Sequence, residues 1–236
     1  MASSRIAWPQ SDVHGLATAR AGIESWSGHD RTPLHRHADA YAALVLSGGY
    51  EEVGSNGRFQ VRAGDVLLHF RFDAHFNQFE RSGAQLLNLP LTMSIRYPLA
   101  RVDDPDAIAG LAETDPEQAS VLLHQRMYPL AQQLRDWPDS LAHDLIADPA
   151  IRLDWWARDH GLAPATVSRG FGKVFGVSPV AFRAEVRAQR ALRQIADSDM
   201  SLASVAIDAC FADQAHMSRA IKGMTGRSPG WWAKVK

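Results

Sequence analysis

The chain has 236 residues, 46% hydrophobic and 22% charged, which is a globular composition with length for one large domain or two ordinary ones. No apolar run approaches the ~20 residues a membrane-spanning helix needs, the first ten residues lack an apolar stretch of the secretory kind, and Cys210 is the only cysteine; a membrane protein is excluded and the cytoplasm is the default compartment. The formal charge of −1 joins unlike halves: residues 1–148 hold 12 Lys+Arg against 19 Asp+Glu, net −7, and residues 149–236 hold 13 against 7, net +6. All four lysines, Lys173, Lys222, Lys234 and Lys236, fall in the basic part. Such a block suits a polyanion, although a solvated helical face has the same charge.

From Pro33 to Leu91, short alternating runs at Tyr41–Leu46, Tyr50–Val53, Arg58–Arg62, Val66–Phe70 and Gln85–Leu89 predict an antiparallel sheet. Asn56-Gly57 is a hairpin signal because both residues accept positive φ, and Ala63-Gly64-Asp65 marks the next turn. Hairpins this dense imply a small β-barrel or jelly roll. Beyond Asp103 the texture becomes helical, at Pro105–Ala112, Pro116–Met127, Leu130–Trp137 and Ser140–Ala147. Each Asp-Pro reads as a helix start, Asp capping the first amides and Pro lacking the amide that would go unsatisfied. Leu122, Leu123, Leu130 and Leu134 at helical spacing serve either as packing against the sheet or as a dimer seam.

The last 85 residues repeat. A shift of 50 positions pairs Ala165 with Ala215, Ser168 with Ser218, Arg169 with Arg219, Gly176 with Gly226, Ser178 with Ser228 and Pro179 with Pro229. The shared unit reads as two helix-turn-helix copies. In the first, Leu153–His160 is followed by a turn at Gly161 and by a helix from Pro164, with Val167 and Phe171 inward and Ala165, Ser168, Arg169 and Gly172 outward. In the second, Leu202–Ala209 leads to Asp213, which caps a helix presenting Gln214, His216, Ser218, Arg219 and Lys222, with Met217 and Ile221 inward. A helix over residues 180–197 joins the copies and carries Arg183, Arg187, Arg190 and Arg193, which reach phosphates or pair with carboxylates such as Asp208. Two such copies on a rigid helix can enter successive major grooves about 34 Å apart. Arg169 and Arg219 then suit guanine, Gln214 suits adenine, and Lys173 and Lys222 suit phosphates. Trp231 and Trp232 read as core and end-plate packing.

On these residues, and on Ser201–Gly226 followed by Arg-Ser-Pro above all, the stretch 150–236 resembles the arabinose-operon regulator family of bacterial transcription factors (AraC/XylS). The resemblance implies a sequence-specific DNA-binding regulator of transcription, working as a homodimer on double-stranded DNA with RNA polymerase as a further partner, and an N-terminal sensor for a small-molecule effector. Family members usually have Gly-Phe where this chain has Cys210-Phe211, and Phe where it has Ile221, so a reshaped second turn and a dominant first copy are expected.

Residues 28–79 look like a cupin barrel. His35-x-His37 puts two imidazoles on one strand face, and Gly64, Phe70, Phe72 and His75 keep the spacing of the second cupin motif, with Phe in place of its Pro and Gly. Tyr41 stands where metal-binding cupins have Glu. The resemblance implies an effector pocket at His35, His37, Tyr41 and His75, in which His35, His37 and His75 hold a divalent metal or the pocket is metal-free; Asp39 shares their strand parity and His69 is unassigned. The expected architecture is α+β: a cupin-like sensor over 1–102, a helical connector over 103–148 with a dimerisation role, and an all-α DNA-binding domain of two helix-turn-helix units over 149–236. The alternative is a metal-dependent, oxygenase-like cupin enzyme carrying a DNA-binding domain. No catalytic set emerges, and the chain is read as no enzyme.

Overall fold

The structure, a computed structural model, describes residues 21–91, 93 and 95–235. The first ten residues, read above for a targeting signal, lie outside the described residues, as does Lys236. Those described form two compact units, 21–133 and 134–235.

The first unit runs β1 (Gly22–Trp26), β2 (His35–Arg36), β3 (Tyr41–Gly54), β4 (Gly57–Arg62), β5 (Asp65–His69), β6 (Ala74–Pro90), β7 (Leu99–Arg101), α1 (Pro105–Ala112), α2 (Pro116–Arg126) and β8 (Tyr128–Pro129). The strands join one antiparallel sheet in the order β1-β6-β3-β5-β7-β8, with β2 also on β6 and β4 also on β3. Period-two alternation sorts the apolar residues onto two faces. Leu44, Val66, Leu68, Leu87 and Leu89 pack with Ile108 and Leu123 of the helices, while Val45, Leu67 and Leu86 point the other way to meet Tyr50, Phe59, Val61 and Phe79.

Several expectations shift. The runs 41–46 and 50–53 are one strand, β3, because Gly48 takes φ +70° and register shifts at Val45/Ser47 and Gly48/Tyr50 absorb the residues between as bulges. The hairpin after β3 turns at Ser55-Asn56, with Gly54 opposite Gly57, and only Gly57 has positive φ. The expected helix Leu130–Trp137 does not form: Trp137 opens the next helix, and residues 130–136 are not helical. There the Leu130 amide donates to Leu99 O at 3.0 Å and the Gln132 side chain to Arg58 O at 3.1 Å, so the sheet edge takes groups that a helix would have used internally. The seam of four leucines dissolves with it: Leu122 and Leu123 pack in the core beneath α2, Leu130 lies against the other core, and Leu134 is exposed. The Asp-Pro helix starts hold at Asp104 and Asp115, which accept from Ala107 N and Gln118 N at 3.0 and 2.9 Å, but not at Asp148-Pro149, where Asp148 follows the end of the helix Trp137–Ala147 and the next helix begins only at Leu153.

The second unit is α3 (Trp137–Ala147), α4 (Leu153–Asp159), α5 (Pro164–Phe175), α6 (Pro179–Asp197), α7 (Leu202–Asp208), α8 (Gln214–Thr225) and α9 (Pro229–Trp232). The boundary thus falls inside 103–148, with α1 and α2 in the sheet unit and α3 in the helical one. Phe171, Phe175 and Phe182 form an aromatic knot with ring centroids 4.4–5.3 Å apart, and buried Phe182, Ala188, Ala191, Leu192 and Ile195 make α6 the central helix. The polar edge of α6 holds both copies. Arg183 and Arg187 donate to Ile151 O and Pro149 O at 3.2 and 2.7 Å, ahead of α4, while Arg190 stands 4.0 Å from Asp208 of α7, which also accepts from Gln194. No helix among the described residues is long and apolar enough to cross a membrane.

Candidate functional site: a histidine cavity and a paired helical face

The sheet unit encloses a cavity of about 170 Å³ lined by imidazoles. His35 and His75 are ladder partners across β2 and β6, with ring centroids 4.4 Å apart, and His37 lies 4.8 Å from His35 and 5.3 Å from His75. Tyr41, the ladder partner of His69, stacks on that ring at 4.3 Å and brings its hydroxyl 3.3 Å from His37 Nε2. Both expected groups, His35, His37, Tyr41 and His75 as a pocket and the three histidines as a cluster, are therefore brought together. Asp39 is not: it is exposed and off the cavity wall, because the strand carrying His35 ends at Arg36.

Sequence reasoning missed other residues of the cavity wall, His69 and Glu52 among them. His69 lies 4.4 Å from His75, and Glu52 Oε2 is 3.6 Å from His69 Nε2. The signal was strand parity: Glu52 shares its face with buried Tyr50, and His69 shares its face with Leu67. Turned with its nitrogen toward Glu52, the Asn77 amide donates to Oε2 at 3.2 Å. Burial pushes Glu52 well above the usual carboxylate range, with the charge of Asp73 adding to it, and drives His69 and His75 well below the usual imidazole value, the neighbouring imidazoles adding to it. His35 is also lowered, by burial, and Tyr41 is raised by burial and then by Glu52. Neutral imidazoles are the form that binds metals. Two donor groups have the spacing for an ion, His35 with His37 and His75, and Glu52 with His69 and His75, the ligand atoms within each group lying within 4.8 Å of one another.

In the helical unit the two copies repeat the same local geometry, at an offset of 49 residues through the first helix and its turn and of 50 in the second helix. Gly161 turns at φ +64° and Cys210 at +61°, and the same bonds follow, Leu162 N to Ala157 O and Phe211 N to Ala206 O, both at 2.8 Å. Cys210 thus takes the left-handed backbone that Gly161 takes, while the second connection, 209–213, is one residue longer than the first, 160–163. Gly176 and Gly226 end α5 and α8 at φ +73° and +72°, and Ser178 and Ser228 then cap α6 and α9. Asp213 caps α8, accepting from His216 N at 2.6 Å, whereas Ala163 before α5 offers no side-chain cap. Val167, Phe171, Met217 and Ile221 are buried as expected. On the opposite faces Ala165, Ser168, Arg169 and Lys173 of α5, and Gln214, His216, Arg219 and Lys222 of α8, are exposed, with Ser218 half-buried. The His216 ring sits edge-on to Phe211 at 5.2 Å, so its reach is narrower than that of Gln214.

Residues 156–234 match a family described as a helix-turn-helix domain. The matched stretch runs from within α4 to the end of α9 and so spans both helix pairs. Over 78 residues the chain is 32% identical to the HTH-type transcriptional regulator ExsA of Pseudomonas aeruginosa, a match covering 33% of this chain and 28% of that one, so the chain spans under a third of that relative's length. Among solved structures, the C-terminal domain of AraT, a response regulator of Geobacillus stearothermophilus, is similar at 17% identity and a TM-score of 0.41, over 44% of this chain and 89% of that one. Unsaturated fatty acid-bound ToxT of Vibrio cholerae is similar at 11% identity and a TM-score of 0.42, over 91% and 94%.

Within the helical unit Lys173 and Lys222 are not equivalent positions, since Gly172 is the counterpart of Lys222, so each copy places its cation differently along its helix. Trp232 donates to Thr225 Oγ1 at 3.0 Å as an end-plate residue should. Trp231 departs from expectation: it is 41% exposed, with the Arg227 guanidinium 5.4 Å over its ring.

Proposed function

We propose that this chain is a regulator of transcription that binds double-stranded DNA sequence-specifically through α5 and α8. The observation that carries the reading is the pair itself: two helices each preceded by a left-handed turn residue, each ended by a left-handed glycine, and exposing Arg169 and Arg219 at equivalent places, in a part of the chain with net charge +6. Neither arginine has a hydrogen bond or ion pair among the described residues, so both are available to grip guanine O6 and N7, with Ser168, Gln214, His216 and Ser218 nearby and Ala165 allowing close approach. Lys173 and Lys222 contact phosphates. The reading includes a small effector in the histidine cavity, a homodimer, RNA polymerase as a partner in the cytoplasm, and an N-terminal sensor ahead of a DNA-binding part over 149–236. Exposed Val121 and Tyr128 support a dimer contact on the α2 and β8 side, which sedimentation of the full chain at micromolar concentration checks.

The deciding experiment selects a DNA site for the full chain and compares Arg169→Ala with the parent. A loss of about 1–3 kcal/mol, with relaxed preference at one base, is expected; equal affinity on the selected site overturns the assignment. Lys222→Ala should weaken all sequences alike and lower the salt slope by about one.

A further inference from the structure

We propose that Glu52, His69 and His75 hold one divalent transition-metal ion inside the sheet unit. The proposal goes beyond the DNA-binding reading and stands without it.

The first observation is a carboxyl with a single-sided environment. Glu52 is 6% exposed, its carboxyl facing the His69 imidazole at 3.6 Å and the Asn77 amide at 3.2 Å, and acids are rarely this buried unless paired with a positive charge or a metal. The second is His75, 3% exposed, whose Nδ1 is a buried polar atom with no hydrogen-bond partner among the described residues. Such an atom inside a cavity points to something that completes it.

Charge chooses between the two donor groups. His35, His37 and His75 are all neutral donors, and Glu24, which lines the same cavity and acts on His35, lies outside that group, whereas Glu52 is itself one of the ligands. Rigidity points the same way. Glu52, His69 and His75 stand on β3, β5 and β6, the central strands of the sheet, while His35 and His37 come from a two-residue strand and the segment after it. Supporting contacts are also in place: the Asn77 amide on Glu52 Oε2 at 3.2 Å and Tyr41 stacked on His69 at 4.3 Å orient the ligands. Two imidazoles and one carboxylate suit Fe(II), Co(II), Ni(II) or Zn(II), and not Mg²⁺ or Ca²⁺, which favour oxygen ligands. The cavity of about 170 Å³ falls below the ~300–1,000 Å³ of pockets that take drug-sized molecules, but leaves room for water or a very small ligand on the open positions. The carboxylate absent at Tyr41 is thus supplied eleven positions further along the same strand.

The test strips the full chain with a chelator, titrates it with Co²⁺, and reads visible absorption together with metal content. One Co²⁺ per chain is expected. Glu52→Gln and His69→Asn should each weaken binding by more than the 10–100-fold that losing an outer-shell partner costs, and a His35→Asn, His37→Asn double variant by about threefold at most. X-ray absorption of the Co²⁺-loaded parent, which needs no variant to fold, should count two imidazoles. Three imidazoles, loss of binding in the His35 and His37 variant, binding kept in Glu52→Gln, or no uptake of Co²⁺, Ni²⁺ or Zn²⁺ by the parent would each overturn the site. DNA binding by the chelated chain is measured alongside, so the two readings fail separately.

Discussion

Cys210 and Phe72 hold left-handed backbone, at φ +61° and +64°, at the two places where the resembled motifs have glycine. The conformation costs a side chain about 1–2 kcal/mol, and what surrounds each residue decides whether glycine would be better. Phe72 is 2% exposed, and removing a buried ring costs about 3–5 kcal/mol, more than the backbone would recover. Cys210 is only half-buried, with a long contact from its thiol to Asp208 O. Cys210→Gly should therefore stabilise the chain by about 0.5–1 kcal/mol after the extra freedom of unfolded glycine is subtracted, visible as a higher urea midpoint. The histidines make a second prediction. His69 and His75 are held below the ordinary value, so the unfolded chain takes up two protons near pH 6.5 that the folded chain refuses, and stability present above that pH is lost as pH falls through it. Glu52, raised, keeps its proton in the folded state and opposes this by one proton against two. The metal-free chain should melt at lower temperature at pH 5 than at pH 6.5.

Helices whose ends are written in neighbouring residues were legible in the sequence: Asp104, Asp115, Ser178, Asp213 and Ser228 each accept a hydrogen bond from an amide three positions on, so cap and helix are read together. Strands set by distant partners were not. Most of β6 and all of β1 went unread because Phe76, Phe79 and Ile23 acquire their roles only from β3 and β6, tens of residues away. The same limit hid Glu52 and His69 while exposing His35-x-His37, whose spacing is local. Two predictions belong to this scale. Ser178→Ala should cost about 1 kcal/mol by freeing the Ala181 amide, and hydrogen exchange should show the loss at the start of α6. Leu123→Ala should cost about 2–5 kcal/mol in stability while leaving the oligomeric state unchanged, because the side chain is 2% exposed within its own unit.

For the whole molecule, composition foretold two unlike parts, and the boundary at residue 133 divides a segment that had read as a connector. Its helices belong to whichever core their apolar faces meet. The proposed division of labour, ion in the sheet unit and DNA on the helical one, makes steep salt dependence the signature of the second alone, and titration with salt at fixed metal should leave Co²⁺ occupancy flat while DNA affinity falls. Inside the helical unit, α6 is the common support: one edge fastens the segment before α4 through Arg183 and Arg187, another meets α7 at Asp208, and Phe182, Ala188 and Ala191 fill the interior. In a genetic screen for loss of operator binding, alleles would accordingly crowd into a helix remote from the proposed base-reading side chains. They would be recessive where the chain fails to fold and would not be rescued by changing the operator, whereas alleles at Arg169 or Arg219 would be rescued by compensating base changes.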